Sequence, residues 1–562
     1  MAFPLSDSLL GSRRALGHGH VLPGHLEAAC LHAGSGPAPS SAPVGFRQRG
    51  YHARRPMRRG RRGLLQTVPI GSRHRAGCPA RFEGENAMIL PVGPLPRRVW
   101  KIRRPISDRN PSRSPGLGVL GLLVGFVLAT TGCGDEGGGA KTQTAAPAPA
   151  APSKGAAPPA ARAVTGKPSL PDDLPRALVL GLSAFAEREP GAEGMPVPLP
   201  AELEFVVRRG GEWVVTKLTD PDSNVFHKAM AYETPDGSIG LLTAGGSKAM
   251  VKLWKKEGGK LVSRTLWEKD FGGRFSRIRD MEVGDIDGDG SNVIVVATHD
   301  QGVVAVIRPK NGDYEVEEID AEKDTFVHEI ELGDVDGDGI VEIYATPSEP
   351  NRLDGSPQSG RVVRYVPGKG EGRVVVADLG DRHAKEILVH DIDGNGTDEL
   401  YVVVEGQKNP EGPGLLHRTE VWRYEADTPP DQGVVIAELD DRLGRFLTPG
   451  DLDGDGKKEI VAALFQKGVW WLRPGSDPTK PWRKKAIDRR SSSFEHAAIA
   501  TDLDGDGLQE LYVASDNDKA LRRYVWNGRR LVKDEIYKRE DNRSILTWNI
   551  MPIPVGLVPD EP

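Results

Sequence analysis

Five copies of one acidic loop recur along the second half of the chain, and no other feature constrains the fold as strongly. They start at Asp285, Asp334, Asp391, Asp451 and Asp502, and read D-x-D-G-D/N-G throughout. Carboxylates crowded into five residues repel one another. A hard divalent cation with oxygen ligands removes the repulsion, and Ca²⁺ is the usual occupant of such loops. The first residues of successive loops lie 49, 57, 60 and 51 positions apart. A period near 50 residues marks a propeller blade or another stacked unit. One motif thus points to a chemistry and to an architecture.

The loop positions assign the ligands. Positions 1, 3, 5 and 7 are Asp285, Asp287, Asp289 and Ser291 in the first copy, whose position 9 is Val293. Positions 1, 3, 5, 7 and 9 are Asp334, Asp336, Asp338, Ile340 and Glu342 in the second, and Asp391, Asp393, Asn395, Thr397 and Glu399 in the third. They are Asp451, Asp453, Asp455, Lys457 and Glu459 in the fourth, and Asp502, Asp504, Asp506, Leu508 and Glu510 in the fifth. Position 7 serves through its backbone carbonyl where the side chain has no oxygen. About five calcium sites are expected. The first should be weakest, because it lacks the position-9 carboxylate. The third exchanges one carboxylate for Asn395. Gly at position 6 permits the positive φ that a tight ligand loop needs. An EF-hand also begins D-x-D-x-D-G, but it requires a Glu at position 12 and flanking helices. Position 12 here is Val296, Ala345, Val402, Ala462 or Val513, inside β-branched runs that read as strands.

Each loop sits between two short strands, and two more follow, as in His328–Leu332, Glu342–Ala345, Arg361–Tyr365 and Arg373–Ala377. Four short strands per repeat make a propeller blade. Units beginning near Phe226, Ile278, Phe326, Lys385, Phe446 and Phe494 give six blades. The first has a degenerate loop, Tyr232–Gly237, and is expected to hold no metal. Arg176–Leu182, Glu202–Val206 and Trp213–Lys217 lack an inner strand, and Ser544–Ile550 supplies one. The expected fold is therefore all-β: a seven-bladed propeller of four-stranded blades over residues 171–555, one blade split between the chain's two ends. Closing the ring removes the open sheet edge.

These loops resemble the FG-GAP/VCBS repeat of integrin α propellers and of many bacterial surface proteins, across roughly residues 200–553. The resemblance implies a seven-bladed propeller with calcium between the first two strands of a blade. It implies binding or adhesion more often than catalysis.

Residues 1–115 carry 19 Arg and one Lys against five acids, a charge of +15, whereas the whole chain is −5. They read as a disordered basic segment, and 1–87 as an early-assigned start with translation from Met88. A basic arm for nucleic acid or anionic lipid would be the other reading. No aromatic or helical pattern accompanies the arginines, and nucleic acid is not an expected partner. Residues 97–133 read as an export signal: a basic stretch through Arg104, an apolar run from Gly116 to Ala129, then Gly132-Cys133. That run is short for a membrane span and suits a signal. Gly132-Cys133 resembles the bacterial lipoprotein box, which implies lipidation of Cys133, although Thr130 stands where that box has Leu. The runner-up is an uncleaved N-terminal anchor helix. Both place the propeller outside the cytoplasm, at a bacterial cell envelope. Residues 134–170 are an Ala/Pro/Gly-rich linker, which at about 3.1 Å per residue reaches roughly 100 Å. Cys30, Cys78 and Cys133 lie outside the propeller, so no disulfide is expected there.

No G-x-S-x-G, H-E-x-x-H, P-loop or dinucleotide fingerprint occurs. Six residues before each loop stands a basic residue: Arg279, His328, Lys385, Arg445 and His496. Pseudo-symmetry would set them around one mouth of the central channel as an anion-binding ring. The competing expectation pairs each with a neighbouring acid such as Asp280, Glu329 or Glu386. The functional expectation is an exported, surface-tethered, calcium-loaded binding, adhesion or scaffolding module for a protein or glycan ligand, and not an enzyme. The alternative is a propeller lyase or dehydratase acting on sugars or polysaccharides, which would need His328, His496 and Lys385 to converge with a Tyr.

Overall fold

The computed structural model describes residues 170–187, 197–272, 276–352 and 354–560. The basic segment, the export signal with Cys133 and the linker through 169 lie outside the described residues. Among the described residues, no helix is long and apolar enough to cross a membrane.

Seven four-stranded antiparallel sheets form a ring of blades. Blade I is Phe226–Glu233, Ile239–Gly245, Ala249–Glu257 and Lys260–Lys269. Blade II is Ile278–Gly284, Val293–Thr298, Val304–Lys310 and Asp313–Asp320, and blade III is Phe326–Gly333, Glu342–Ser348, Arg361–Val366 and Glu371–Asp378. Blade IV is Ala384–His390, Glu399–Val404, Thr419–Tyr424 and Val434–Leu439, with a small hairpin, Gln407–Lys408 and Leu415–His417, inserted before its third strand. Blade V is Gly444–Gly450, Glu459–Leu464, Val469–Arg473 and Arg483–Asp488. Blade VI is Ala498–Thr501, Glu510–Ser515, Ala520–Trp526 and Leu531–Lys538. Its inner strand starts four residues after Phe494, because the chain turns at His496, where φ is +49°. Blade VII is the split one. Ser544–Pro554 is its inner strand and pairs with Arg176–Phe185, followed outward by Ala201–Arg209 and Glu212–Asp220.

Burial follows position in the blade. Second strands such as Val293–Thr298 and Glu459–Leu464 are buried at every residue, because a neighbouring blade covers each face. Their sequences are accordingly continuous apolar runs. Outer strands such as Asp313–Asp320 meet water and alternate. Among the described residues there are seven apolar clusters, one between each pair of adjacent blades. The inner strands are also tied across blades. Asp280 accepts a hydrogen bond from the Ile330 amide at 2.9 Å, Glu386 from Leu447 at 2.9 Å, Thr448 from Ala500 at 3.1 Å and Asn549 from Ala229 at 3.4 Å. Each leaves a buried amide satisfied that no ladder partner reaches.

Candidate metal centres

Every acidic loop joins the inner strand of a blade to its second strand, so the five loops occupy equivalent places in blades II to VI. Position 1 organises the turn. Asp334 accepts hydrogen bonds from the amides of Asp338 at 3.0 Å and Gly339 at 2.8 Å. Asp285, Asp391, Asp451 and Asp502 each accept the position-6 amide, from Gly290, Gly396, Gly456 and Gly507 at 2.8 to 3.0 Å. Those glycines have φ between 83° and 93°, a region costly for any side chain. Position 5 accepts the position-7 amide in all five copies, from Ser291, Ile340, Thr397, Lys457 and Leu508. These backbone bonds hold each loop's acidic side chains on one side of the turn.

Position 9 opens the second strand. Glu342, Glu399, Glu459 and Glu510 are all buried. Burial pushes the carboxyls of Glu459 and Glu510 up to about 7, and those of Glu342 and Glu399 upward as well. Three of the four also take a tyrosine hydroxyl two residues on: Glu342 from Tyr344, Glu399 from Tyr401 at 2.8 Å and Glu510 from Tyr512 at 3.1 Å. Among the described residues, four groups bring three carboxylate oxygens within 4.8 Å of one another. They are Asp334, Asp336 and Asp338; Asp391, Asp393 and Glu399; Asp451, Asp453 and Glu459; and Asp502, Asp504 and Asp506. The first loop, with Val293 at position 9, gives no such group. Its Asp287 is instead gripped by Arg308 at 2.9 and 3.2 Å. In blade I the loop closes on itself around one carboxylate, with Asp236 bound by Thr234, Ser238 and Lys255.

The donor set fits a hard cation: oxygen only, mostly charged, and at Asp453 Oδ1 buried with no hydrogen-bond partner. Asp334, Asp336, Asp338, Asp391, Asp393, Asp451, Asp453, Asp502, Asp504 and Asp506, with the four glutamates, are the residues that would hold it.

One set of residues escaped the sequence reading. The third strand of each metal-type blade carries an arginine aimed at the loop: Arg308, Arg364, Arg423, Arg473 and Arg523. Arg364 lies 3.3 Å from Asp336 and 2.8 Å from Glu342. Arg423 lies 2.9 Å from Asp393 and 3.0 Å from Glu399, and Arg473 lies 2.5 Å from Asp453, 3.1 Å from Glu459 and 3.5 Å from Asp455. Arg523 stands 3.9 Å from Glu510. The arginine is a built-in counter-charge, so the loop carboxylates have a partner even without metal. Replacing it should make the blade lean harder on calcium. We expect Arg473→Gln to lower the melting temperature in chelator by about 1–3 °C, the effect of about 1–2 kcal/mol in a domain this size, and to widen the gap between calcium and chelator. Calorimetry in both conditions checks it; an unchanged gap would mean the arginine does not substitute for the ion.

The five basic residues ahead of the loops do not form the expected ring of five. Arg279, Lys385 and Arg445 are buried and come together with His328 near the axis. His496 leaves the set. Its positive φ turns the imidazole toward the Leu464 carbonyl at 2.5 Å and the Ser491 hydroxyl at 2.8 Å. Glu495, which the sequence did not single out, takes its place. It accepts hydrogen bonds from Lys385 at 2.6 Å and Arg279 at 3.4 Å, and Arg445 pairs with Glu405 at 3.2 Å. The expected local partners Asp280, Glu329 and Glu386 are not the ones these cations bond. Among the described residues, Phe326, Phe494 and Trp548 place aromatic rings against the cluster.

Residues 451–513, spanning the fourth and fifth loops, match the model of the FG-GAP-like repeat. No curated protein matches the chain. Among solved structures, it is similar to a proposed 6-phosphogluconolactonase from Bacteroides fragilis, with 14% identity, TM-score 0.41, and coverage of 69% of this chain and 100% of that one. A second such protein, from Bacteroides uniformis, gives 10% identity, TM-score 0.41 and coverage of 68% and 100%. A nidogen/laminin complex gives 14% identity, TM-score 0.33 and coverage of 56% and 98%. At such scores these likenesses say nothing of what this chain does. The ring of seven blades, the acidic loop repeated in five of them and the matched segment together identify a seven-bladed β-propeller carrying FG-GAP-like repeats.

Proposed function

We propose that this propeller is a calcium-loaded binding or scaffolding module displayed at the bacterial cell envelope. The observation that carries the calcium reading is the in-register placement of four carboxylate groups in four successive blades, each with oxygens within 4.8 Å. Repetition in register is what an ion-stabilised ring needs and what isolated acidic turns do not show. A groove of about 900 Å³ supports a ligand on the loop side of the ring, between blades I and II. Lys255, Arg264, Arg308 and Lys310 line it, with Tyr314 and with Asp287 and Asp289 of the first loop. Both charge signs beside an aromatic ring suit a polar glycan or a protein loop.

A screen of the full chain against glycans and envelope proteins, with calcium and with chelator, tests the reading. Calcium-dependent retention of a ligand, weakened by Arg264→Glu in the groove, is the expected result. Turnover of a polysaccharide without stable retention would favour the enzyme reading. The tether is tested separately. Cys133→Ser should abolish lipid labelling and release the protein from membranes, whereas retention at unchanged size would show an anchor helix instead.

A further inference from the structure

We propose that the centre of the propeller is a binding site for a small monoanionic carboxylate. Each blade contributes one residue in or just before its inner strand, His227, Arg279, His328, Lys385, Arg445, Glu495 and Trp548 from blades I to VII in order, and these groups lie against one another. Glu495 bonds residues of blades II and IV from its place beside blade VI, so the cluster spans the channel. It is buried: Arg445 and Glu495 are 0 and 1% exposed, while Arg279, His328 and Lys385 at 4 to 6% mark where water reaches its rim.

Three observations point to a ligand there. The first is charge. Three cations, Arg279, Lys385 and Arg445, share two carboxylates, Glu495 and Glu405. Arg277 and Arg442 flank the cluster but have acids of their own beside them, Asp300 and Asp441. The second is unused hydrogen-bonding capacity. Arg445 Nε and Nη2, and both ring nitrogens of His328, are buried without partners. A fully buried guanidinium rarely leaves two nitrogens idle, because the desolvation is then uncompensated. The third is the surrounding surface. Guanidinium carbons stand 4.8 Å from the Phe494 ring centroid and 5.1 Å from that of Trp548, and His383 meets His328 edge-on at 5.4 Å. The rings and fixed donors make low-dielectric surroundings in which an anion would be held strongly.

The acids nearby offset this only in part. Asp280 is matched by Lys228 at 3.0 Å, and burial pushes the Glu386 carboxyl up to about 7. Burial, reinforced by Asp280 and Glu386, pushes the Glu329 carboxyl well above its usual range. Burial holds the His328 imidazole, with His383 and the cations nearby, well below its usual range, so it is neutral and can donate one N–H. Water would serve the idle donors but leave the charge unmatched. One surplus positive charge suits a monoanion, whereas a phosphate dianion would overshoot it. A planar carboxylate also matches the paired N–H groups of a guanidinium edge.

The test is equilibrium dialysis of the full chain, calcium-saturated so that the loops do not contribute, against radiolabelled acetate at fixed ionic strength in sodium chloride. We expect saturable uptake of one acetate per chain, weakened at least tenfold by Arg445→Gln and by His328→Phe. Circular dichroism reports whether each variant folds; if Arg445→Gln does not, His328→Phe alone decides. Absence of saturable uptake, unchanged affinity in a folded variant, or tighter binding of inorganic phosphate than of acetate would overturn the proposal.

Discussion

Deleting residues 540–562 should leave a protein that does not fold as a closed ring. The segment contains Ser544–Pro554, which pairs with Arg176–Phe185 along that strand's whole length. It buries Ile545, Ile550, Ile553, Leu557 and Val558. At about 1.5–3 kcal/mol per buried aliphatic side chain, their loss costs about 8–15 kcal/mol. A whole domain is typically stable by about 5–15 kcal/mol. Specific bonds go as well. The Thr547 amide and hydroxyl each donate to Asp516 at 2.7 Å, Trp548 Nε1 donates to the Ser183 hydroxyl at 2.7 Å, and Arg543 pairs with Glu202. The truncated chain would expose the inner edge of Arg176–Phe185 and the facing side of blade I, an open invitation to strand pairing between molecules. Aggregation, or a soluble form without a cooperative melting transition, is the expected result. Supplying residues 540–562 as a separate peptide should restore the transition, since it returns the missing inner strand. A truncated protein that melts cooperatively at the wild-type temperature would show that the ring closes by another route.

That closure is legible in the sequence, because blade strands have a fixed order. Three N-terminal strands without an inner partner and one C-terminal strand without outer partners have a single mutual solution. The loops were equally legible, since a D-x-D-G-D-G turn fixes its own hydrogen bonds within six residues. What the sequence concealed lies at longer range. The arginines that face the loops follow the position-1 aspartates by 23, 30, 32, 22 and 21 residues. The spacing varies because the hairpins between second and third strands differ, blade IV inserting a whole extra one. No fixed-period reading finds them. One candidate gave way to its chain neighbour for a local reason: a positive φ at His496 turned the imidazole away and Glu495 inward. The same turn delays the inner strand of blade VI from Phe494 to Ala498.

Calcium should raise the melting temperature of the propeller substantially, and chelator should lower it. An ion bound only by the native state stabilises by RT ln(1 + [L]/Kd). Loops of extracellular type have dissociation constants of about 10⁻⁴–10⁻³ M, so about 10 mM calcium contributes about 1.4–2.7 kcal/mol per site. Four sites then give about 6–11 kcal/mol. With an unfolding entropy of about 2.1 cal/mol/K per residue, this shifts the transition by about 7–13 °C over the roughly 390 residues from 170 to 560. The arginines set the lower limit of the effect. Where Arg364, Arg423 and Arg473 already touch two or three carboxylates, the metal-free loop is not a bare cluster of like charge, so removal of calcium should soften the blades without unfolding them at room temperature. The sites should also differ. Asp336 belongs to a group of three converging carboxylates, whereas Asp287 sits in the loop with Val293 at position 9 and is occupied by Arg308. Asp336→Ala should therefore remove about 2 kcal/mol, or about 2–3 °C, of the calcium-dependent rise, and Asp287→Ala little of it. Scanning calorimetry of the three proteins in calcium and in chelator measures both claims. A transition that chelator does not move would end the calcium reading, and equal losses from the two variants would show that the position-9 glutamate does not rank the sites.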